Sequence, residues 1–211
     1  MKTYLFDFDG TLVDSMPAYG AMMLGILQEE KATYGADILR IITPLGYTLT
    51  AEYFIKHCGV KRSRDDLINT MEKRAKEAYA TTIPAKPHVP QVLHALKAQC
   101  CSLNVLTASP HTMLDPCLQR LGLTDLFDHA WSCEDFGMSK SDTKIYQAVA
   151  ARLGCATKDV IFLDDNLGAD TAAKAAGMTV YGVFDASSQD DAERIKAVTD
   201  RYICDFLELL S

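Results

Sequence analysis

The chain opens with Met1-Lys2-Thr3-Tyr4-Leu5-Phe6-Asp7-Phe8-Asp9-Gly10-Thr11-Leu12-Val13-Asp14, an apolar run that ends in two carboxylates one residue apart. Residues 4–8 suit a buried strand, and the Gly10-Thr11 pair ends it. Asp7 and Asp9 should therefore lie at the carboxyl end of the strand, where open α/β sheets bind ligands. Alternate residues of a strand share a face, so we expect both carboxylates in one small volume. Such a pair needs a cation, a shared proton or a hydrogen-bonding partner, unless the acids serve only as turn formers.

Composition limits the classes of protein that this chain can represent. With 211 residues, 48% of them hydrophobic, the chain can bury one substantial core and a smaller second domain. The net charge of −7 argues against a nucleic-acid partner. We find no apolar run of about 20 residues that could span a membrane, and we expect no signal peptide because the opening strand starts at once. The seven cysteines lack a Cys-x-x-Cys pair, which indicates buried thiols in a reducing, cytoplasmic compartment. The sequence does not indicate an oligomeric state.

Residues 15–83 form a segment with helical patterns and no strand candidate. We expect the 43–44 Thr-Pro pair to break one helix, and Thr50 and Ser63 to be the N-caps of two others. The segment follows the first strand directly. We therefore predict an all-helical cap of residues 15–83, inserted as a lid over the carboxyl end of that strand, with hinges at 13–15 and 83–86.

The remainder of the chain alternates short apolar strands with helices. This order predicts parallel βαβ units and a doubly wound α/β sheet, built from residues 1–14 and 84–211. No strand is assigned to the short stretch around Ala130-Trp131. The predicted strands after the first are 103–107, 160–163, 179–183 and one near 202–203, and the predicted helices are 89–97, one from a Ser109-Pro110 cap to Gly122, 143–153, 169–176 and 206–210.

A second apolar strand also ends in acids. Residues 160–163 lead into Asp164-Asp165-Asn166, with Asp170 further on. An acidic pair at this position could simply favour a helix N-terminus. Together with the acids of the first strand, it instead indicates a hard divalent cation with oxygen ligands, most simply Mg²⁺.

Two further features suit a phosphate group. The strand 103–107 ends in the hydroxyl of Thr107, and the amides of Ala108 and Ser109 follow, which predicts an anion-binding corner. Lys140 lies in a loop before a helix, where its charge would neutralise a phosphate and the carboxylates. Lys144, inside that helix, is the weaker alternative.

These stretches together resemble the motifs of the haloacid dehalogenase-like hydrolases, most of which are magnesium-dependent phosphatases. Residues 7–15, Asp-Phe-Asp-Gly-Thr-Leu-Val-Asp-Ser, resemble the first motif over nine consecutive residues, and Thr107 stands where the second has its hydroxyl. The loop around Lys140 resembles the third motif, although both prolines and the glycine common there are replaced. Asp164-Asp165 resembles the fourth, where many relatives have glycine at the position of Asp164. The pattern is nearest to the phosphoglycolate-phosphatase-like group with a helical cap.

The resemblance implies a role for each of these residues. Asp7 would be the nucleophile that forms an aspartyl phosphate, and Asp9 would protonate the leaving alcohol and later accept a proton from water. The halide-removing relatives lack an acid at the position of Asp9, which favours phosphate chemistry. The implied ligands of Mg²⁺ are Asp7, Asp9, Asp165 and Asp164, and the implied phosphate-binding groups are the amides of Phe8, Gly10 and Ala108 with the side chains of Thr107 and Lys140.

We therefore predict a Mg²⁺-dependent phosphatase that acts on a small phosphorylated metabolite. A sugar-phosphate mutase of the β-phosphoglucomutase type would keep the same carboxylates but return the phosphate to its substrate. A non-catalytic phosphate-binding module is a third hypothesis, which the presence of both Asp7 and Asp9 opposes. The sequence does not indicate which phosphate ester is the substrate.

Overall fold

A computed structural model describes residues 2–211, which divide into two compact units. One unit combines the chain up to Asp14 with Ile83–Ser211, and the other contains Ser15–Thr82. The domain prediction assigns residue 83 to the helical segment, whereas the structure groups Ile83 with the α/β unit. The role of the helical unit as a cap remains a prediction.

The described part of the first unit contains one sheet of six parallel strands, in the order β3-β2-β1-β4-β5-β6. The predicted doubly wound α/β fold is confirmed. Since β1 pairs with both β2 and β4, the strand order reverses direction beside β1, which creates a crevice at the carboxyl ends of β1 and β4. The strands are β1 (Thr3–Phe6), β2 (Ser102–Thr107), β3 (His129–Ser132), β4 (Val160–Asp164), β5 (Thr179–Val183) and β6 (Arg201–Ile203).

The register of β1 sets the position of the first acid. Phe6, the last residue of β1, lies opposite Val105 of β2 and Leu163 of β4. The next amide, that of Asp7, donates to the Leu163 carbonyl at 2.8 Å. Asp7 and Asp164 therefore leave their strands at the same level of the sheet.

Strand β3 was not predicted from the sequence. It includes the Ala130-Trp131 stretch and pairs through Trp131 with Leu106. As an edge strand it is only partly buried, with His129 exposed. The strand therefore lacks the continuous apolar run that identifies β1 and β4.

All the regular elements described between residues 15 and 82 are helices joined by short loops, in line with the predicted helical pattern. The Thr43–Leu45 segment forms a 3₁₀ turn at the predicted break, and Ser63 is the predicted N-cap, because its side chain accepts from the Asp66 amide. The cap expected at Thr50 was wrong: Thr50 is buried within a helix, and its hydroxyl donates to the Ile42 carbonyl at 3.4 Å. The helices are α1 (Met16–Glu29), α2 (Ile38–Ile42), α3 (Gly46–His57) and α4 (Arg64–Thr81).

The helices of the α/β unit mostly follow the prediction, with two corrections. The helix after β2 does not begin with a Ser109 cap, because the Ser109 amide turns back to the Thr107 hydroxyl and Pro110 takes the cap position in extended conformation. The segment Phe206–Leu210 is a 3₁₀ helix. The α-helices are α5 (Val89–Ala98), α6 (His111–Arg120), α7 (Thr143–Arg152), α8 (Leu167–Ala175) and α9 (Ala192–Val198). Among all the described helices, none combines the length and apolar character that a membrane span requires.

Candidate active site

Three buried carboxylates meet at the carboxyl ends of β1 and β4. Asp7, Asp164 and Asp165 each place an oxygen atom within 4.8 Å of the others. All three side chains come from the two strand ends that form the crevice. Three like charges at this spacing in a buried site require compensation by a cation or by protons.

Lys140 supplies one positive charge to this carboxylate cluster. Its ammonium group donates to Asp7 Oδ1 at 2.5 Å and to Asp164 Oδ2 at 2.7 Å. The lysine is positioned by Tyr146 of α7, whose hydroxyl donates to the Lys140 carbonyl at 2.8 Å. Lys144, the alternative considered from the sequence, is exposed on α7.

The pKa values of Asp7 and Lys140 are both raised, although burial and charge act in opposite directions in each group. Burial raises the pKa of Asp7 well above its ordinary value, and the charge of Lys140 opposes this only in part. Burial by itself would lower the pKa of Lys140, but the charges of Asp164 and Asp7 more than offset it, so the pKa is raised well above normal. Lys140 therefore stays protonated and favours the ionised form of Asp7.

Asp164 and Asp165 are adjacent but have different surroundings. Both oxygens of Asp164 accept hydrogen bonds, one from Lys140 and the other from the Asn166 amide at 2.8 Å. Asp165 accepts from the Thr11 hydroxyl at 3.2 Å. The lone pairs of Asp165 are thus less committed to protein donors, which makes it the better candidate for a metal ligand, whereas Asp164 braces the lysine.

Gly10 lies directly against the carboxylate of Asp165. A Cβ atom at this position would be 2.7 Å from both carboxylate oxygens, and the backbone φ of +78° also favours glycine. The Gly10 amide donates to the Val13 carbonyl at 2.9 Å. Gly10 therefore brings the turn after β1 close to Asp165, while the binding of phosphate by its amide remains a prediction.

Asp9 is held separately from the carboxylate cluster. Its Oδ2 accepts a hydrogen bond of 2.6 Å from the hydroxyl of Ser109. Asp9 does not belong to the group of described carboxylates that meet within 4.8 Å, so its side chain as a metal ligand remains a prediction. From the sequence we expected Ser109 to act as a helix cap and to supply its amide, and we did not predict its hydrogen bond to Asp9, although its position two residues after Thr107 was a usable signal.

The predicted phosphate corner is formed around Thr107. The buried hydroxyl of Thr107 accepts from the Ser109 amide at 3.0 Å, which leaves the hydroxyl proton available for another acceptor. Thr107 ends β2, the neighbour of β1, so this hydroxyl lies at the same edge of the sheet as Asp7. The roles of Thr107 and of the Phe8 and Ala108 amides in phosphate binding remain predictions.

Asp170 is a further buried acid whose environment the sequence did not reveal. It lies on α8, is fully buried, and neither carboxylate oxygen has a hydrogen-bond partner. Burial, together with the charge of Asp164, raises its pKa to about 9. Burial and the same neighbouring charge raise the pKa of Asp165 to about 7. The negative charge in this region therefore exceeds what Lys140 can balance.

The composition of the cluster fits a hard divalent cation. Its donors are carboxylate oxygens, the ligand type that Mg²⁺ prefers, and their excess negative charge is the condition that a cation would relieve. Asp7 and Asp165 would hold such an ion, with Asp164 as the more constrained third carboxylate.

A parallel sheet with an acidic crevice where the strand order reverses is the arrangement in which open α/β proteins bind their ligands. Residues 4–183 match the family described as haloacid dehalogenase-like hydrolase, and the chain belongs to this family. The predicted family and the prediction of a hydrolase are confirmed.

Relatives and solved structures agree with this membership. Hexitol phosphatase B of Escherichia coli (strain K12) is 28% identical over 199 residues, covering 92% of this chain and 88% of that protein. A phosphoglycolate phosphatase of Shigella boydii serotype 4 is 28% identical over 200 residues, covering 84% and 79%. The crystal structure of a putative beta-phosphoglucomutase from Thermotoga maritima superposes with a TM-score of 0.85 at 23% identity, covering 100% and 98%, which shows a shared fold.

The hydrogen bond between Ser109 and Asp9 gives a first prediction. We expect Ser109→Ala to lower kcat by about 10-fold or more with little change in KM, because Asp9 loses the donor that positions it. Ser109→Thr keeps the hydroxyl and should retain most of the activity. Steady-state kinetics of both variants test this, and an alanine variant with the kcat of the wild type would contradict it.

The raised pKa values of Asp165 and Asp170 give a second prediction, for the metal-free protein. Both pKa values lie above the ordinary 3.8, at about 7 and about 9. Between the ordinary pKa of 3.8 and these raised values, the folded state binds more protons than the unfolded state. The free energy of unfolding therefore falls as pH rises from about 4 to about 9. We expect the Tm measured in chelator to decrease over this range.

Asp170→Asn isolates the contribution of one carboxyl group to this decrease of Tm with pH. The amide keeps the shape but cannot ionise, so the variant should have a shallower fall of Tm and a higher Tm near pH 8, by about 2–4 °C for each kcal/mol of penalty removed. Asp190→Asn, at an exposed position, is the control and should follow the wild type. An Asp170→Asn variant whose slope equals that of the wild type would show that the buried carboxyl does not titrate as described.

Proposed function

We propose that this protein is a Mg²⁺-dependent phosphatase that hydrolyses a small phosphorylated carbohydrate or hydroxy acid through an aspartyl phosphate on Asp7. The observation that carries the proposal is the pairing of Asp7 with Lys140 inside a cluster of three buried carboxylates. Two relatives, a hexitol phosphatase and a phosphoglycolate phosphatase, support this substrate class. A small phosphate ester dissolved in the cytoplasm is the expected partner.

In the first half-reaction, the Asp7 carboxylate attacks phosphorus and the bond from phosphorus to the leaving oxygen breaks. Lys140 favours the ionised form of the nucleophile and orients it. Asp9 gives its proton to the leaving alcohol, and Ser109 keeps the Asp9 carboxyl in position. The products of this step are the free alcohol, an aspartyl phosphate on Asp7 and an ionised Asp9.

In the second half-reaction, water attacks the phosphorus of the aspartyl phosphate. Asp9 accepts a proton from this water, the bond between Asp7 and phosphorus breaks, and inorganic phosphate leaves. Thr107 would donate its hydroxyl proton to a phosphoryl oxygen through both steps. Bound Mg²⁺, held by Asp7 and Asp165, would neutralise charge on the phosphoryl group.

Release of inorganic phosphate from a panel of sugar, polyol and hydroxy-acid phosphates tests the proposal. We expect turnover of at least one ester that depends on added Mg²⁺ and is lost in chelator. Asp7→Asn removes the nucleophile and should lower kcat by at least about 10³-fold. Glu193→Gln, at a side chain that is 87% exposed on α9, is the matched control and should retain activity.

Three outcomes would contradict the proposal in different ways. Activity that survives Asp7→Asn would remove the nucleophile assignment. Conversion of a sugar phosphate into its isomer without phosphate release would identify a mutase. Binding of phosphate with no turnover across the panel would identify a binding module.

A further inference from the structure

Lys86 makes a set of contacts that the proposed reaction does not use. Its ammonium group donates to the carbonyl of Gly10 at 2.7 Å, to the carbonyl of Phe184 at 2.7 Å and to Asp185 Oδ2 at 3.0 Å. The three acceptors match the three N–H donors of an ammonium group. The side chain is only 15% exposed, and Asp185 is buried. Lys86 is therefore a largely desolvated cation with a complete set of partners.

The main chain around Lys86 is fixed as firmly as its side chain. The Lys86 amide donates to the Leu12 carbonyl at 3.0 Å, and the Asp14 amide donates to the Pro84 carbonyl at 3.0 Å. An antiparallel bridge between Val13 and Ala85 lies between these bonds. The main chain at Lys86 is thus fixed by hydrogen bonds, and its ammonium group joins this segment to the turn after β1 and to the segment after β5.

The peptide that Lys86 holds is the one that lies against Asp165. A Cβ atom on Gly10 would be 2.7 Å from the Asp165 carboxylate, so the backbone there is in direct contact with this acid. The following residue, Thr11, donates its hydroxyl to Asp165 Oδ1. A shift of the Gly10 carbonyl would therefore change both contacts of Asp165, the one with the Gly10 backbone and the one with the Thr11 hydroxyl.

Lys86 and Asp185 also connect the turn after β1 to a second strand. Asp185 accepts from the amide and the hydroxyl of Ser187 at 2.9 and 2.6 Å, which fixes its carboxylate independently of Lys86. The Phe184 amide donates to the Ile203 carbonyl of β6 at 2.8 Å. The anchor for the Gly10 turn is thus the segment that follows β5, beside β4, which Asp165 directly follows.

We propose that Lys86 is a positioning residue for the divalent-cation site, which holds the Gly10-Thr11 turn against Asp165 and thereby sets the affinity for Mg²⁺. This inference rests on the proposed Mg²⁺ site. The hydrogen bonds of its ammonium group go to Gly10, Phe184 and Asp185, so Lys86 would act through the turn. Its contribution is to keep the carboxylate of Asp165 in the orientation that the ion requires.

Isothermal titration of Mg²⁺ into the full chain, in the absence of substrate, tests the proposal. We expect Lys86→Met to raise the Mg²⁺ dissociation constant by about 10-fold or more, which is the range for groups that orient metal ligands. At saturating Mg²⁺ the kcat of this variant should return to near that of the wild type. Circular dichroism establishes the temperature at which each variant is fully folded for the titration.

Lys174→Met is the matched control, because it removes another lysine ion pair of the same unit. Lys174 pairs with Asp200, which also accepts from the Val180 amide near the start of β5. This pair therefore lies at the amino ends of the strands, away from the carboxylate cluster. This control should bind Mg²⁺ as the wild type does. Lys86→Gln, which loses the charge but keeps a donor, carries the same expectation if the methionine variant does not fold.

The outcomes separate this inference from the proposed function. A folded Lys86→Met or Lys86→Gln protein with the Mg²⁺ dissociation constant of the wild type would overturn the positioning role alone. An equal loss of affinity in Lys174→Met would also overturn it, since the effect would then follow from general destabilisation. Absence of Mg²⁺ binding by the wild type would overturn the proposed metal site itself.

Discussion

Electrostatic repulsion among Asp7, Asp164 and Asp165 is the constraint on which the rest of the site depends. Their oxygens lie within 4.8 Å of one another in a buried region, where water screens little of the repulsion. Lys140 balances one charge and is itself stabilised by the acids it contacts. The remaining negative charge disfavours the metal-free protein as pH rises, and a bound cation would relieve it. The charge that would attract the proposed cation therefore opposes stability in its absence.

The order of the strands explains why these acids come together. Because β1 pairs with both β2 and β4, the side chains that follow β1 and β4 emerge side by side at the carboxyl edge. The hydroxyl of Thr107 reaches the same edge from β2. Two residues then fix the turn that follows β1. Gly10 permits the close approach of this turn to Asp165, and Lys86 donates a hydrogen bond to the Gly10 carbonyl.

Much of this arrangement could be predicted because it depends on local patterns. Apolar runs that end in acids identified β1 and β4, and alternation of strands with helices identified the sheet. The edge strand β3 was missed because half-burial weakens its pattern, and the cap at Thr50 was wrong because burial of that residue within α3 outweighs its capping preference. The contacts of the Lys86 ammonium join residues 76 to 99 positions apart, and the unpartnered state of Asp170 depends on burial alone, so no local pattern encodes either. The Ser109 hydroxyl could have been noticed from its spacing to Thr107, but its partner Asp9 is 100 positions away.

The central claim is that Asp7 receives the phosphoryl group. Rapid acid quenching during turnover of an active phosphate ester with Mg²⁺, followed by mass spectrometry of the proteolytic peptides, tests it directly. We expect a phosphoryl group on the peptide that contains Asp7, located at that residue by fragmentation and absent when chelator replaces Mg²⁺. A phosphoryl group on a different residue, or turnover that leaves every peptide of a quenched enzyme unmodified, would contradict it.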